Sequence, residues 1–172
     1  MTKAKPILRG TFHQAMFFIA IGACTPLIVK SSSASEYVAT SIYSAAVMMM
    51  FGFSALYHRF DWNTLIKKRM RKLDHVGIFI MIAGSFTPIA LLVIPWPDGL
   101  FLLILIWCVA LFGATQVIFF PNINRLLRAG IYLSMGLISL PYFSTMFEVF
   151  SVANSVLIIL SAFLYVIGAV GY

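Results

Sequence analysis

Residues 156–167 read VLIILSAFLYVI, and nothing in them is more polar than Ser161 and Tyr165. A surface helix of a soluble domain shows a polar stripe at helical period, and this stretch has none. Outward from it, the same character fills nearly the whole chain. Residues 10–29, 37–58, 75–97, 99–124, 129–147 and 149–172 contain no Lys, Arg, Asp or Glu. A helix rises ~1.5 Å per residue, so about twenty apolar residues cross ~30 Å of hydrocarbon. Each stretch is close to that length or above it. Because hydrocarbon offers no partner for free backbone groups, each is expected to be a helix. The expected fold class is all-α: a polytopic transmembrane helical bundle, one membrane domain over residues 1–172. Its helices should lie near 10–29, 37–58, 74–94, 99–120, 127–147 and 151–172.

Composition agrees, at 62% hydrophobic and 10% charged residues with a mean hydropathy of +1.00. A soluble core wrapped in a charged surface is excluded. The formal net charge of +7 would suit a nucleic-acid binder, but the placement of the charges argues against that partner. Lys3, Lys5 and Arg9 precede the first stretch. Arg59, Lys67, Lys68, Arg69, Arg71 and Lys72 fall between the second and third, and Arg125 and Arg128 between the fourth and fifth. The opposite connections hold Lys30, Glu36, Asp98 and Glu148. Eleven of the twelve basic residues thus share one side, which the positive-inside bias makes cytoplasmic. The expected location is the plasma (inner) membrane, multi-pass, with the N-terminus inside. The run 67–72 also suits anionic lipid headgroups. The first stretch follows a basic start as a signal peptide does, but it is long and lacks a cleavage signal before Lys30, so a retained helix is expected.

Pro26, Pro88 and Pro141 fall inside helical stretches and should bend them. Trp62, Trp96, Tyr57 and Tyr142 sit near the expected interfaces, where amphipathic rings collect. Cys24 and Cys108 lie in separate apolar stretches and read as small buried side chains rather than a disulfide framework. Met48, Met49 and Met50 read as packing, ahead of a copper site.

Polar groups at membrane depth are costly and therefore point to function. Ser54 and His58 are four residues apart at the inner end of the second helix, on one face a turn apart. Asp74 stands at the expected start of the third helix, after a connection short enough to make the two helices neighbours. An imidazole, a carboxylate and a hydroxyl suit zinc, the carboxylate being able to take a proton from bound water. The plainer readings are an N-cap or first-turn anion for Asp74, beside Arg71 and Lys72, and a boundary marker for His58. His13 lies at an interfacial helix start, and His75 should point about 100° away from Asp74 around the helix.

Ser54-Ala-Leu-Tyr57-His58, then Lys72-Leu-Asp74-His75-Val-Gly-Ile and Ile82-Ala-Gly-Ser-Phe-Thr-Pro88, resemble the hemolysin III branch of the progestin and adiponectin receptor family. Residues 127–136 and Leu164-Tyr-Val-Ile-Gly168 with Tyr172 resemble its fifth and sixth helices more loosely. The resemblance covers essentially the full chain. It implies a seven-helix architecture, of which six helices are present here. It also implies a zinc site with the metal ligand at His58, support from Ser54, and Asp74 as base or water-orienting group. Two histidines four apart on a seventh helix would complete that site. The sequence ends at Tyr172 without them, so the site is expected to be incomplete and the chain either a C-terminally shortened copy or a product that carries a partial site.

Three functions follow as expectations. The first is a zinc-dependent hydrolase acting on a lipid amide, with Asp74 and Ser54 in catalytic roles. The second is a cytolytic or pore-forming protein, as the family name suggests, although short-looped apolar helices offer no charged pore lining. The third is a membrane sensor or regulator that binds a ligand without turnover. The bilayer is the expected partner throughout.

Overall fold

A computed structural model describes residues 7–171. The described residues form α1 (Ile7–Val29), α2 (Ala34–Arg59), α3 (Thr64–Leu92), α4 (Asp98–Phe119), α5 (Arg125–Leu137), a 3-10 turn (Leu140–Tyr142), α6 (Phe143–Val149) and α7 (Val152–Gly171). Among them are six helices long and apolar enough to cross a membrane, the fifth formed jointly by α5, the 3-10 turn and α6 over Leu126–Val149. The protein is an all-helical, polytopic membrane bundle. Lys3, Lys5 and Tyr172 lie outside the described residues.

Side chains that satisfy free backbone donors fix where the helices begin. Ser33 caps α2 by accepting from the Glu36 N–H at 3.2 Å, and Glu36 in return accepts from the Ser32 N–H at 2.8 Å. Asn63 caps α3 through the Ile66 N–H at 2.9 Å. That cap moves the start of α3 ten residues ahead of the expected 74. Residues 64–73 contain no Gly or Pro and are rich in Lys and Arg, good helix formers, so the helix continues past the membrane boundary into water. The charge boundary and the helix boundary are different things here. Asp74 therefore sits well inside α3, and its reading as an N-cap or first-turn anion is corrected.

Pro26 and Pro88 are accommodated within α1 and α3. Pro141 is not accommodated within a helix. Lacking an N–H and colliding with the carbonyl four residues earlier, a proline ends a helix at that point, and α5 stops at Leu137. Ser139 takes up the freed groups, its hydroxyl donating to the Gly136 carbonyl at 2.8 Å and its own carbonyl accepting from the Tyr142 N–H at 3.0 Å. The expected continuous helix 127–147 is thus broken in two.

Packing centres on α2, which lies against both α1 and α3, while α3 also packs on α4. Small residues let the backbones approach, the usual device where lipid tails remove any hydrophobic drive between helices. Gly84 of α3 meets Ala46 of α2 with no room for a β-carbon, and Gly77 lies close to the Met50 backbone. On the other face of α3, the fully buried Phe79 ring lies directly on Gly113 of α4 and 4.7 Å from the Tyr132 ring of α5. Ile82, Ala83, Ile106, Ala110, Val117 and Met135 complete this core. The two glycine contacts set the register in which the C-terminal end of α2 faces α3 around Asp74.

Candidate functional site

The close α2–α3 packing brings together side chains from the last turn of α2 and the middle of α3. His58 Nε2 lies 4.0 Å from Asp74 Oδ2, and both side chains are largely buried. Gly10 of α1 leaves the space that His58 occupies, since a β-carbon there would stand 3.0 Å from His58 Cβ. The Tyr57 ring packs on the imidazole at 4.6 Å between centroids. Ser54 is buried one turn before His58 on the same helix. Among the described residues it makes no hydrogen bond to His58 or Asp74.

His75 departs from expectation. Its Nδ1 stands 3.9 Å from Asp74 Oδ2, as near as His58. Adjacent helical residues diverge by about 100°, but an imidazole is long enough to reach back across that angle. Asp74 therefore has an imidazole on either side, one from each helix. His13 does not join them. It lies on α1 with its ring 5.8 Å from that of Phe51.

Three further polar side chains sit at the same end of the bundle. Gln116 of α4 and Arg128 of α5 are at least nine-tenths buried. Gln116 donates to the Phe120 carbonyl at 2.7 Å and Arg128 Nη2 to the Pro121 carbonyl at 3.1 Å. The Arg128 charge also reaches His75. Lys72 donates through Nζ to the Ile118 carbonyl at 2.5 Å, satisfying one of the orphan acceptors at the end of α4. Charge counting treats Arg128 and Lys72 as topology signals only, which hides their contacts. Gln116, a lone amide inside an apolar stretch, carried a signal that could have been used.

Two polar atoms 4 Å apart can both hold one water at ordinary hydrogen-bond distance. Asp74 can accept its proton while an imidazole holds its oxygen. Zinc asks for more. Tetrahedral ligands at ~2.0–2.1 Å lie about 3.3 Å apart, and four are wanted. His58 and Asp74 are wider than that by a fraction of an ångström, and the described residues contain no group of three or more His, Cys, Asp or Glu placed to hold a metal. The residues present do not make up a zinc site.

The family model described as "Haemolysin-III related" matches residues 1–172. The chain is similar to Hemolysin-3 of Bacillus cereus, with 30% identity over 169 residues, covering 95% of this chain and 76% of that protein. It is similar also to the Hemolysin-3 homolog of Bacillus subtilis (strain 168), with 28% identity over 174 residues, covering 99% of this chain and 81% of that one. No solved structure matches the chain significantly.

Proposed function

The chain belongs to the haemolysin-III-related family, and from that premise we propose that it is a membrane-embedded hydrolase acting on the amide linkage of a lipid. The observation that carries this reading is Asp74 Oδ2 at 4.0 Å from His58 Nε2, where the last turn of α2 meets the middle of α3. A carboxylate and an imidazole at that separation suit general-base activation of a water. Asp74 takes the proton of the attacking water and returns it to the amine nitrogen as the C–N bond breaks, His58 holds the water oxygen, and buried Ser54 supports the wall behind them. Arg59, the next residue after His58, marks the depth at which a lipid's polar linkage lies, so a substrate can remain in its own leaflet while its carbonyl reaches the pair.

Zinc stays in this proposal only through His58 as its ligand, with Asp74 as the base beside it, and would need further donors that the described residues do not supply. Metal content is therefore measured separately from turnover. The concentration of basic residues in alternate connections supports a cytoplasmic N-terminus, and the plasma membrane is the location proposed with it. The test is release of fatty acid from an amide-linked lipid by protein in nanodiscs. Hydrolysis that survives Asp74→Asn removes the proposal.

A second reading rests on the name of both relatives, Hemolysin-3 and its homolog. Here the protein perturbs the bilayer directly. Dye release from liposomes separates the two readings, because lysis survives His58→Ala and hydrolysis does not.

A further inference from the structure

Between α1 and α2 runs an apolar groove of about 410 Å³. Phe17 and Phe18 of α1 and Met49 and Leu56 of α2 wall it, and Phe18, Met49 and Leu56 are exposed. Gly52 lies on the same wall, where a β-carbon would already stand 3.2 Å from the Phe17 ring. The groove runs from Met48 to Arg59 along α2. The eleven steps from Met48 to Arg59 at ~1.5 Å make ~16 Å, about half of a ~30 Å hydrocarbon core and thus the depth of one leaflet.

Among the described residues lining it, the one cation stands at its end. Arg59 is the last residue of α2, and its stem lies across the start of α1, with Cγ and Cδ 3.1 and 3.2 Å from where a β-carbon on Gly10 would be. Among the described residues Arg59 forms no ion pair. Gln14 adds an amide to the lining. A leaflet-deep apolar wall ending in an uncompensated guanidinium has the shape and charge of a lipid with an anionic head.

We infer that this groove binds one anionic glycerophospholipid, an acyl chain lying along Phe17, Phe18 and Met49 and the phosphate on Arg59. The planar fork of arginine meets phosphate oxygens bidentately. A zwitterionic lipid carries its own cation beside the phosphate and gains less there. The basic residues of α3 from Lys67 to Lys72 concentrate anionic lipid near the surface but offer no such wall. The site does not depend on the chemistry proposed at His58 and Asp74.

The test is native mass spectrometry of the detergent-purified protein with phosphatidylglycerol and phosphatidylcholine of matched chains. Phosphatidylglycerol is retained about tenfold over phosphatidylcholine, a difference one charge-assisted pair can supply. Arg59→Gln brings the ratio to about one, while Lys68→Gln with Arg69→Gln leaves it in place. Gly52→Leu fills the groove and lowers retention of both lipids. Equal retention of the two lipids by the unaltered protein overturns the inference, as does a preference that survives Arg59→Gln or vanishes in the Lys68 and Arg69 variant. Unchanged retention in Gly52→Leu overturns the placement even where Arg59→Gln does not fold.

Discussion

Gly84 of α3 and Ala46 of α2 are in contact so close that the glycine has no room for a β-carbon. The obstruction is another helix rather than the end of a flexible chain, so a larger residue must push the helices apart. Gly84→Val is expected to destabilise the protein by ~1–3 kcal/mol, the range for overpacking. Ala46→Gly in the same chain should restore part of the loss, as coupled neighbours do. Thermal unfolding in detergent checks both, and additive single effects would show that the contact is not shared.

The same displacement should reach the polar centre. Asp74→Asn keeps the shape but loses the proton acceptor, and hydrolysis is expected to fall by about 10²-fold or more. Folding should be unaffected. His58→Ala should lower turnover and zinc content together, and zinc retained at wild-type stoichiometry would sever the metal from this pair.

Lys72 should matter to α4 although it belongs to α3. Its ammonium holds the Ile118 carbonyl in the last turn of α4, partly exposed to water. Lys72→Met is expected to cost about 1 kcal/mol, below the range for buried charged hydrogen bonds. The local readout is faster amide exchange over residues 115–119, with the α2–α3 contact unchanged. Uniform change across the protein would contradict a local role.

Orientation is open to a chemical test. With Cys24 and Cys108 replaced by Ala, a membrane-impermeant maleimide added to intact cells should label Ser32→Cys and leave Asn122→Cys unlabelled. Ser32 and Asn122 are exposed on opposite ends of the bundle. The reverse pattern would invert the topology drawn from Lys67 to Lys72 and Arg128.

The crossings themselves were legible from the absence of charge, and the proximity of α2 to α3 from the short connection between them. The start of α3 was not, because Lys67 to Lys72 mark where hydrocarbon ends and say nothing of where a helix must stop. Pro141 announced a disturbance, but whether a proline bends or breaks a helix depends on which groups take up the freed backbone, and Ser139 does so here. The 100° between His75 and Asp74 describes Cα directions and neglects the reach of the ring, which brings His75 Nδ1 to 3.9 Å from Asp74 Oδ2. Arg128 was absorbed into a count of charges, and its burial follows only from the way α5 returns against α4 and α3.

α7 presents most of its surface outward, and Tyr165 donating to the Tyr132 carbonyl is a polar link from it to α5. A helix so sparsely attached answers to the elasticity of the surrounding lipid before it answers to its neighbours. Mismatch costs fractions of a kcal/mol per ångström, and tilting is one of the responses open to a helix. Among the described residues α7 is thus the span least held by its neighbours, and a change in membrane thickness is expected to alter its tilt before that of α3.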